Sequence, residues 1–396
     1  VASGIYYYWC SVRSLFMIYS LKTKKMGIMV GLPTSGGTEK DLQLNFGLTV
    51  NDQVEMLAPF LPAEWFLQSG IQLTWPHAGT DWAYMLAEVQ ECFINIAREI
   101  AKRELLLIVT PYPEEVRKQI IGTVNMDNVR FLKCDTNDTW ARDHGAITLM
   151  DTGGASLLDF TFNGWGEKFE ARLDNQITRR AVEAGALKGQ YKDCLNFVLE
   201  GGSIESDGAG TLLTTSECLL SPHRNSPMNR VDIEEYLCRV FHLQRVLWLD
   251  HGYLSGDDTD SHIDTLARFC SPDTIAYVKC TDSEDEHYEA LCKMEEQLKT
   301  FRTTSGAPYR LLALPMADKI EVEGERLPAT YANFLIMNDV VLYPTYNQPE
   351  NDKLAKEVLC EAFPTYEVVG IDCRALIKQH GSLHCVTMQY PTGVIK

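Results

Sequence analysis

Five side chains in this sequence have the chemistry to attack a cationic carbon: Asp143, Glu200, His262, Asp264 and Cys385. A thiolate is intrinsically nucleophilic. Histidine carries a proton near neutral pH, and a carboxylate accepts a planar fork of N–H donors. Each lies beside a turn residue, in Trp140-Ala141-Arg142-Asp143, Leu199-Glu200-Gly201-Gly202, Ser261-His262-Ile263-Asp264 and Gly381-Ser382-Leu383-His384-Cys385. In the last stretch a His-Gly-Ser turn leads to a cysteine that opens a β-prone run. Such a turn can hold a thiol at the mouth of a site, with His384 or a bound cation beside it to favour the thiolate. His262 and Asp264 are alternate residues, and in an extended segment they face the same side. The glycines after Glu200 let backbone approach closely, so that its carboxylate could orient His262 or hold a substrate nitrogen.

Each group also has a plainer reading. A cysteine in an apolar run is more often inert packing. Asp143 could pair within its own turn, and Leu-Glu-Gly-Gly could be an ordinary β-turn. A metal reading competes as well: Asp257, Asp258, Asp260, His262 and Asp264 offer ligands for a hard cation. That stretch lacks the sixth-place Gly and closing Glu of an EF-hand loop. The five groups gain weight only as a set.

The elements that must position them alternate from Leu61 onward. Strands are expected over 71–75, 105–109, 129–133, 147–150 and 156–160, then 195–198, 210–214 and 245–249. Further strands follow over 265–269, 274–278, 309–313, 331–336, 340–343 and 366–371. Amphipathic helices are expected over 82–103, 114–121, 173–184, 232–241, 284–301 and 351–363. In the first, Met85, Leu86, Val89, Phe93, Ile96 and Ile100 recur at three/four spacing. Counted from Met56, this makes roughly five helix-plus-strand units of about 65–70 residues, a recurrence that suggests a radial or repeat architecture. The chemical groups fall at loops after strands in several units, so radial assembly would bring them to one central mouth.

Composition bounds the rest. The chain has 396 residues, 45% hydrophobic and 23% charged, enough to bury a sizeable core. A net charge of −18 without a long Lys/Arg run argues against nucleic acid. Twelve cysteines without a CxxC pair or zinc-ligand spacing read as reduced thiols in a cytoplasmic protein, with Cys92, Cys194, Cys238 and Cys292 in the core. Residues 1–55 are expected to be a leader or non-native extension with little fixed structure, and 56–396 a single catalytic domain. The apolar run within residues 1–20 is interrupted by Arg13 and too short for a membrane span. No membrane partner is expected, and a homo-oligomer is compatible with the sequence.

The motifs Trp140–Asp143, Leu199–Ser203, Asp257–Thr265, Tyr331-Ala332-Asn333-Phe334 and Gly381–Cys385 occur here in the order found in agmatine deiminases. From Leu61 to Pro391 the chain resembles that family and the wider guanidine-modifying, or pentein, superfamily. The resemblance implies an α/β fold, a five-bladed α/β propeller with pseudo-fivefold repeats and a central site. It implies that Cys385 attacks the guanidinium carbon to give a covalent amidino-cysteine. Asp143 and Asp264 would clasp the guanidinium nitrogens. His262 would protonate departing ammonia and then activate water, with Glu200 holding it in place. No cofactor or metal is implied. Two stretches depart from the family: many members read Gly-Gly-Gly-Asn-Ile-His-Cys before the nucleophile and Arg-Asp-Thr-Gly-Pro around the first aspartate. These departures bear on substrate more than on reaction.

For substrate choice, the loop Asp159–Glu167 carries no Arg or Lys to grip an α-carboxylate. Its aromatic and acidic residues suit the amine end of agmatine. Trp82, Asp81 and Trp165 are candidate pocket residues. The expected reaction is conversion of agmatine to N-carbamoylputrescine and ammonia. A peptidylarginine or arginine deiminase of the same fold is the nearest alternative, followed by an amidinotransferase. A metal-dependent hydrolase using residues 257–264 and a non-catalytic binding module are alternatives of other classes.

Overall fold

Six amphipathic helices each carry the chain from one strand to a parallel neighbour, and this crossover organises the computed structural model. The structure describes residues 58–396, together with three short strands nearer the N-terminus. The chain divides into two compact units, Val1–Met56 and Leu57–Lys396. In the first, Ile5–Cys10, Leu15–Ser20 and Lys25–Val30 form a three-stranded antiparallel sheet. The rest of the expectation for residues 1–55 lies outside the described residues.

The second unit is mixed α/β and contains five sheets of one recurring plan. Ile147–Asp151 pairs antiparallel with Gly154–Thr161, which pairs parallel with Gln190–Val198. Ile204–Ser206, Thr211–Thr215 and Arg245–Leu249 repeat this order. So do Ala267–Ser271, Thr274–Lys279 and Arg310–Pro315, and Leu335–Met337, Val340–Thr345 and Glu367–Asp372. The remaining sheet joins the chain's ends: Thr387–Pro391 pairs antiparallel with Gln68–Thr74, followed in parallel by Leu105–Thr110 and Val129–Lys133. Each parallel step needs a crossover too long for a hairpin, and a helix supplies it. The crossover helices are Leu86–Ala101, Pro113–Ile120, Ile177–Glu183, Arg230–Phe241, Tyr288–Thr300 and Pro349–Ala362. Among the described residues no sheet closes on itself.

Local sequence explains where these elements begin and end. In Leu86–Ala101 the buried stripe is Val89, Phe93, Ile96 and Ile100, while Met85 and Leu86 are only partly buried. Ala83–Met85, expected as helix, is a separate 3-10 turn. Asn229 caps Arg230–Phe241 by accepting from Val231 and Asp232 N–H, and Asp232 accepts from Asn229 N–H in return. The strand expected over 331–336 is confined to Leu335–Met337. Tyr331–Phe334 is non-strand backbone whose polar atoms serve other partners: Ala332 N–H donates to Thr330 Oγ1, the carbonyls of Ala332 and Phe334 accept from Arg268, and Asn333 Oδ1 accepts from His384 N–H.

The recurring plan positions the chemistry. The first strand of each antiparallel pair follows two to five residues after a candidate group. Asp143 precedes Ile147–Asp151, and Glu200 precedes Ile204–Ser206. His262 and Asp264 precede Ala267–Ser271, Asn333 precedes Leu335–Met337, and Cys385 precedes Thr387–Pro391. Every sheet therefore delivers a polar or nucleophilic side chain from the same place in its topology. Among the described residues, no helix is long and apolar enough to cross a membrane.

Candidate active site

Asp143 sits on the short helix Ala141–His144, rather than at a bare strand-to-loop junction, and is buried. Its Oδ1 accepts from Gly202 N–H at 3.0 Å, and its Oδ2 accepts from Trp165 Nε1 at 3.0 Å. His262 Nδ1 stands 3.7 Å from the same Oδ1. Trp165 reaches Asp143 because its loop runs through left-handed backbone, with φ of 67° at Gly164, 57° at Trp165 and 88° at Gly166. A tryptophan held in that region costs of order 1–3 kcal/mol. The packing of Phe162 and Phe169 edge-on against its ring, at 5.0 and 5.5 Å, helps to offset this.

His262 and Asp264 do not alternate along a strand, as extended backbone would have them. Ile263–Thr265 is a 3-10 turn with His262 just before it. The two side chains converge through that turn: a Cβ on Gly202 would lie 2.6 Å from His262 Nδ1 and 3.2 Å from Asp264 Oδ2. Asp264 Oδ2 pairs with His384 Nδ1 at 2.8 Å. Asp264 Oδ1 and His262 Nε2 are buried and have no hydrogen-bond partner among the described residues.

Glu200 is fully buried, and Arg224 Nε donates to both of its oxygens at 3.0 and 3.1 Å. Arg224 also pairs with Asp260 Oδ2 at 2.6 Å. Glu200 was expected to hold His262. It approaches the imidazole, the two offering ligand atoms within 4.8 Å together with Cys218, but its hydrogen bonds are to Arg224. Arg224 was not anticipated from sequence, and its pairing explains how a buried Glu200 keeps a counter-charge.

Cys385 is buried two residues before its strand. Its Sγ lies 3.4 Å from Asn333 Oδ1, which also accepts from the N–H groups of His384 at 2.8 Å and Cys385 at 3.3 Å. Arg142 N–H donates to Cys385 C=O at 3.1 Å. The Cys385 backbone is thus fixed by the segments carrying Asp143 and Asn333. His384, expected to sit beside the thiol, instead turns to Asp264 and Glu64.

The electrostatics favour a cationic ligand. Burial, then the charges of Asp264 and Glu200, pushes the Asp143 carboxyl well above its ordinary range. Burial also raises Glu200, against the opposing pull of Arg224. Asp264 goes the other way: burial would raise it, but its bond to His384 and the nearby Arg268 guanidinium hold it low. Burial pushes His262 down to about 3. The Cys385 thiol is pushed well above its usual value by burial and then by Asp264 and Asp143. Carboxylates crowd the site, and a planar cation would favour the ionised forms of Asp143, Glu200 and Cys385.

Trp82 is buried, with the rings of Trp140 and Trp165 between it and Asp143. Its Nε1 donates to Thr139 at 3.0 Å, and its ring lies 5.7 Å from Trp140, itself 6.1 Å from Trp165. Asp81 is exposed, and its carbonyl accepts from Gln379. The 257–264 acidic cluster does not form. Asp257 is occupied by Thr259 and Ser261, Asp260 by Lys168 and Arg224, and Asp264 by His384. Among the described residues the grouping with metal-ligand atoms close together is Glu200, Cys218 and His262, where the Arg224 guanidinium already neutralises Glu200. Among the expected core cysteines Cys92 is buried, whereas Cys194, Cys238 and Cys292 are half-buried.

This arrangement is that of a guanidine-modifying enzyme, and the chain belongs to the Porphyromonas-type peptidyl-arginine deiminase family, whose model matches residues 60–391. A Porphyromonas gingivalis protein, provisionally named an arginine deiminase, is 50% identical with a TM-score of 0.81, over 86% of this chain and all of its own. The C. jejuni agmatine deiminase, solved as a cysteine-to-serine form with substrate bound, is 38% identical with a TM-score of 0.79. That match covers 87% of this chain and 99% of its own. A Marinomonas sp. (strain MWYL1) protein, provisionally named an agmatine deiminase, is 31% identical over 353 residues, 84% of this chain and 94% of its own.

Proposed function

We propose that this chain is an agmatine deiminase, converting agmatine and water to N-carbamoylputrescine and ammonia. The observation that carries the reading is the convergence of Asp143, His262 and Asp264 around Gly202, with Cys385 held by Asn333 between the Asp143 and Asp264 segments. Relatives named agmatine deiminase support it.

In this reading Asp143 and Asp264 accept N–H bonds from the guanidinium and fix its plane. The bound cation favours ionisation of the Cys385 thiol, whose proton passes to His262, and Sγ attacks the central carbon. His262 gives a proton to one terminal nitrogen, the C–N bond breaks, and ammonia leaves. The alkylthiouronium on Cys385 is then attacked by water, whose proton passes to His262. The adduct loses its hydroxyl proton to solvent, the C–S bond breaks, and the leaving sulfur takes the proton from His262, releasing N-carbamoylputrescine and the Cys385 thiol. Proton transfer of this kind contributes typically 10²–10⁴-fold. Glu200, with Arg224, keeps His262 in place. Trp165, and behind it Trp82, line the route to the amine end, with Asp81 at the rim.

Residues 56–396 form the catalytic domain, and the five sheets are the blades of a propeller around the site. The recurring strand order and the recurring position of the chemical groups support that arrangement. The unpaired cysteines among the described residues support a reducing, cytoplasmic setting. Quenching the reaction with acid and mapping the adduct by mass spectrometry tests the covalent step. A peptide bearing Cys385 with the mass of agmatine less ammonia is expected, and its absence during turnover contradicts the proposal.

The family description and the P. gingivalis relative favour a second reading, the same chemistry on peptidyl-arginine or arginine. Against it, Lys168, the first cation after the 159–167 loop, is bonded to Asp260 and to the Asp258 carbonyl, and is not free to grip a carboxylate.

A further inference from the structure

Asp264 is tied at one oxygen and free at the other, and the tie leads away from the reaction into a buried ionic chain. His384 Nδ1 lies 2.8 Å from Asp264 Oδ2, while Asp264 Oδ1 has no partner among the described residues. The other ring nitrogen, Nε2, lies 3.1 Å from Arg268 Nη2 and 2.9 Å from Glu64 Oε2. Arg268 is itself held between Glu64 and Glu205 and donates to the carbonyls of Ala332 and Phe334, at 3.1 and 2.6 Å. Glu64 Oε1 accepts from Ile336 N–H at 2.7 Å. His384, Arg268, Glu64 and Asp264 are all buried.

A carboxylate can only accept, so the bond at Asp264 requires hydrogen on His384 Nδ1. A guanidinium can only donate, so the bond from Arg268 requires a lone pair on Nε2. Two protonation states compete: a neutral ring with hydrogen on Nδ1 satisfies Asp264 and Arg268, whereas Glu64 Oε2, 2.9 Å from Nε2, could accept only from a ring carrying hydrogen on both nitrogens. Arg268 has two N–H groups on Nη2, enough to serve His384 Nε2 and Glu64 together. Burial, with Arg142 and Arg268 nearby, opposes a positive ring, although Glu64 and Asp264 pull the other way.

We propose that His384, its tautomer set by the Arg268–Glu64 ion pair, is the positioning residue that fixes Asp264 and leaves Oδ1 aimed at the substrate guanidinium. This rests on the reading of Asp264 as a guanidinium clasp. Glu64 and Arg268 extend the same function one layer outward, linking the entry segment before Gln68–Thr74 to the strand Ala267–Ser271.

Side-chain geometry supplies the test. An asparagine amide overlies the Nδ1 position of histidine, and a glutamine amide overlies Nε2. His384→Asn can therefore still donate to Asp264, whereas His384→Gln and His384→Ala cannot. In the full-length protein, kcat/KM for ammonia release from agmatine is expected to fall about 100-fold in the Gln and Ala variants. The Asn variant is expected to stay within about tenfold of wild type. Asn no better than Gln, or all three near wild type, would overturn the proposal. Nitrogen-15 NMR of histidine-labelled wild type, with His384→Asn to assign the signal, reads the tautomer independently of folding losses in the variants. Hydrogen on Nδ1 alone is expected, and hydrogen on Nε2 overturns the assignment. If wild type does not act on agmatine, the functional reading fails while the NMR result still decides the tautomer. The variant order is then measured on whichever arginine substrate it uses.

Discussion

The Gly202 N–H donates to Asp143 Oδ1 at 3.0 Å, and a Cβ on Gly202 would lie 2.9 Å from that same oxygen. The same Cβ would also fall 2.6 Å from His262 Nδ1. Glycine is required here by the closeness of the side chains around it. Gly202→Ala is expected to push His262 and Asp143 apart and lower kcat/KM by about 100-fold, with the circular dichroism melt only modestly changed. Activity within a few-fold of wild type would contradict this geometry.

Arg224 is the sole guanidinium bonded to Glu200 among the described residues, and both side chains are fully buried. Arg224→Met leaves Glu200 a buried charge without its partner, an effect expected to cost about 3–5 kcal/mol. Adding Glu200→Gln removes the stranded charge and should recover part of that loss. Urea unfolding of wild type, single and double variants measures both, and a single variant as stable as wild type would refute the pairing.

Much of this site was legible in the sequence, and the parts that were not have physical reasons. Asp143, Glu200, His262, Asp264 and Cys385 each sit in a short motif, and the structure brings Asp143, His262 and Asp264 within reach of one glycine. The helices showed through their apolar stripes, as in Val89, Phe93 and Ile96. Glu64, Arg268 and Arg224 gave no local signal, because their partners are between 24 and 320 residues away. His384 was misjudged since adjacency in sequence to Cys385 says nothing of where the imidazole turns. The acidic run 257–264 suggested a metal because spacing alone does not reveal that Lys168, Arg224 and His384 draw its carboxylates apart.

Burial raises the Glu104 carboxyl to about 7, with Asp339 adding to the shift and a bond from Asn338 N–H opposing it. An acid raised on folding contributes stability that is present below its unfolded value, near 4.5, and lost as pH rises through about 7. Glu104→Gln should therefore gain stability relative to wild type at pH 8.5, on the order of 2–3 kcal/mol, and show little difference at pH 4. Asp138 and Asp174, raised by burial to about 7 and 8, keep some of the slope in the variant. Thermal melts across pH check the sign. A wild-type chain that grows steadily more stable from pH 5 to 8.5 would contradict it.

Cys385 rests as a thiol, since burial and two carboxylates oppose its ionisation. Alkylation of Cys385 by iodoacetamide, followed by peptide mapping, is expected to be slow at pH 7 and to climb as pH rises. A rate already at its plateau at pH 7 would mean that a thiolate is present without substrate.

The most direct test of the central claim is ammonia release from purified protein given agmatine, free arginine and a blocked arginine peptide in parallel, with Cys385→Ala beside wild type. The account predicts release from agmatine above the other two, abolished in Cys385→Ala. Release chiefly from arginine or the peptide would contradict the substrate assignment, and activity surviving Cys385→Ala would contradict the nucleophile.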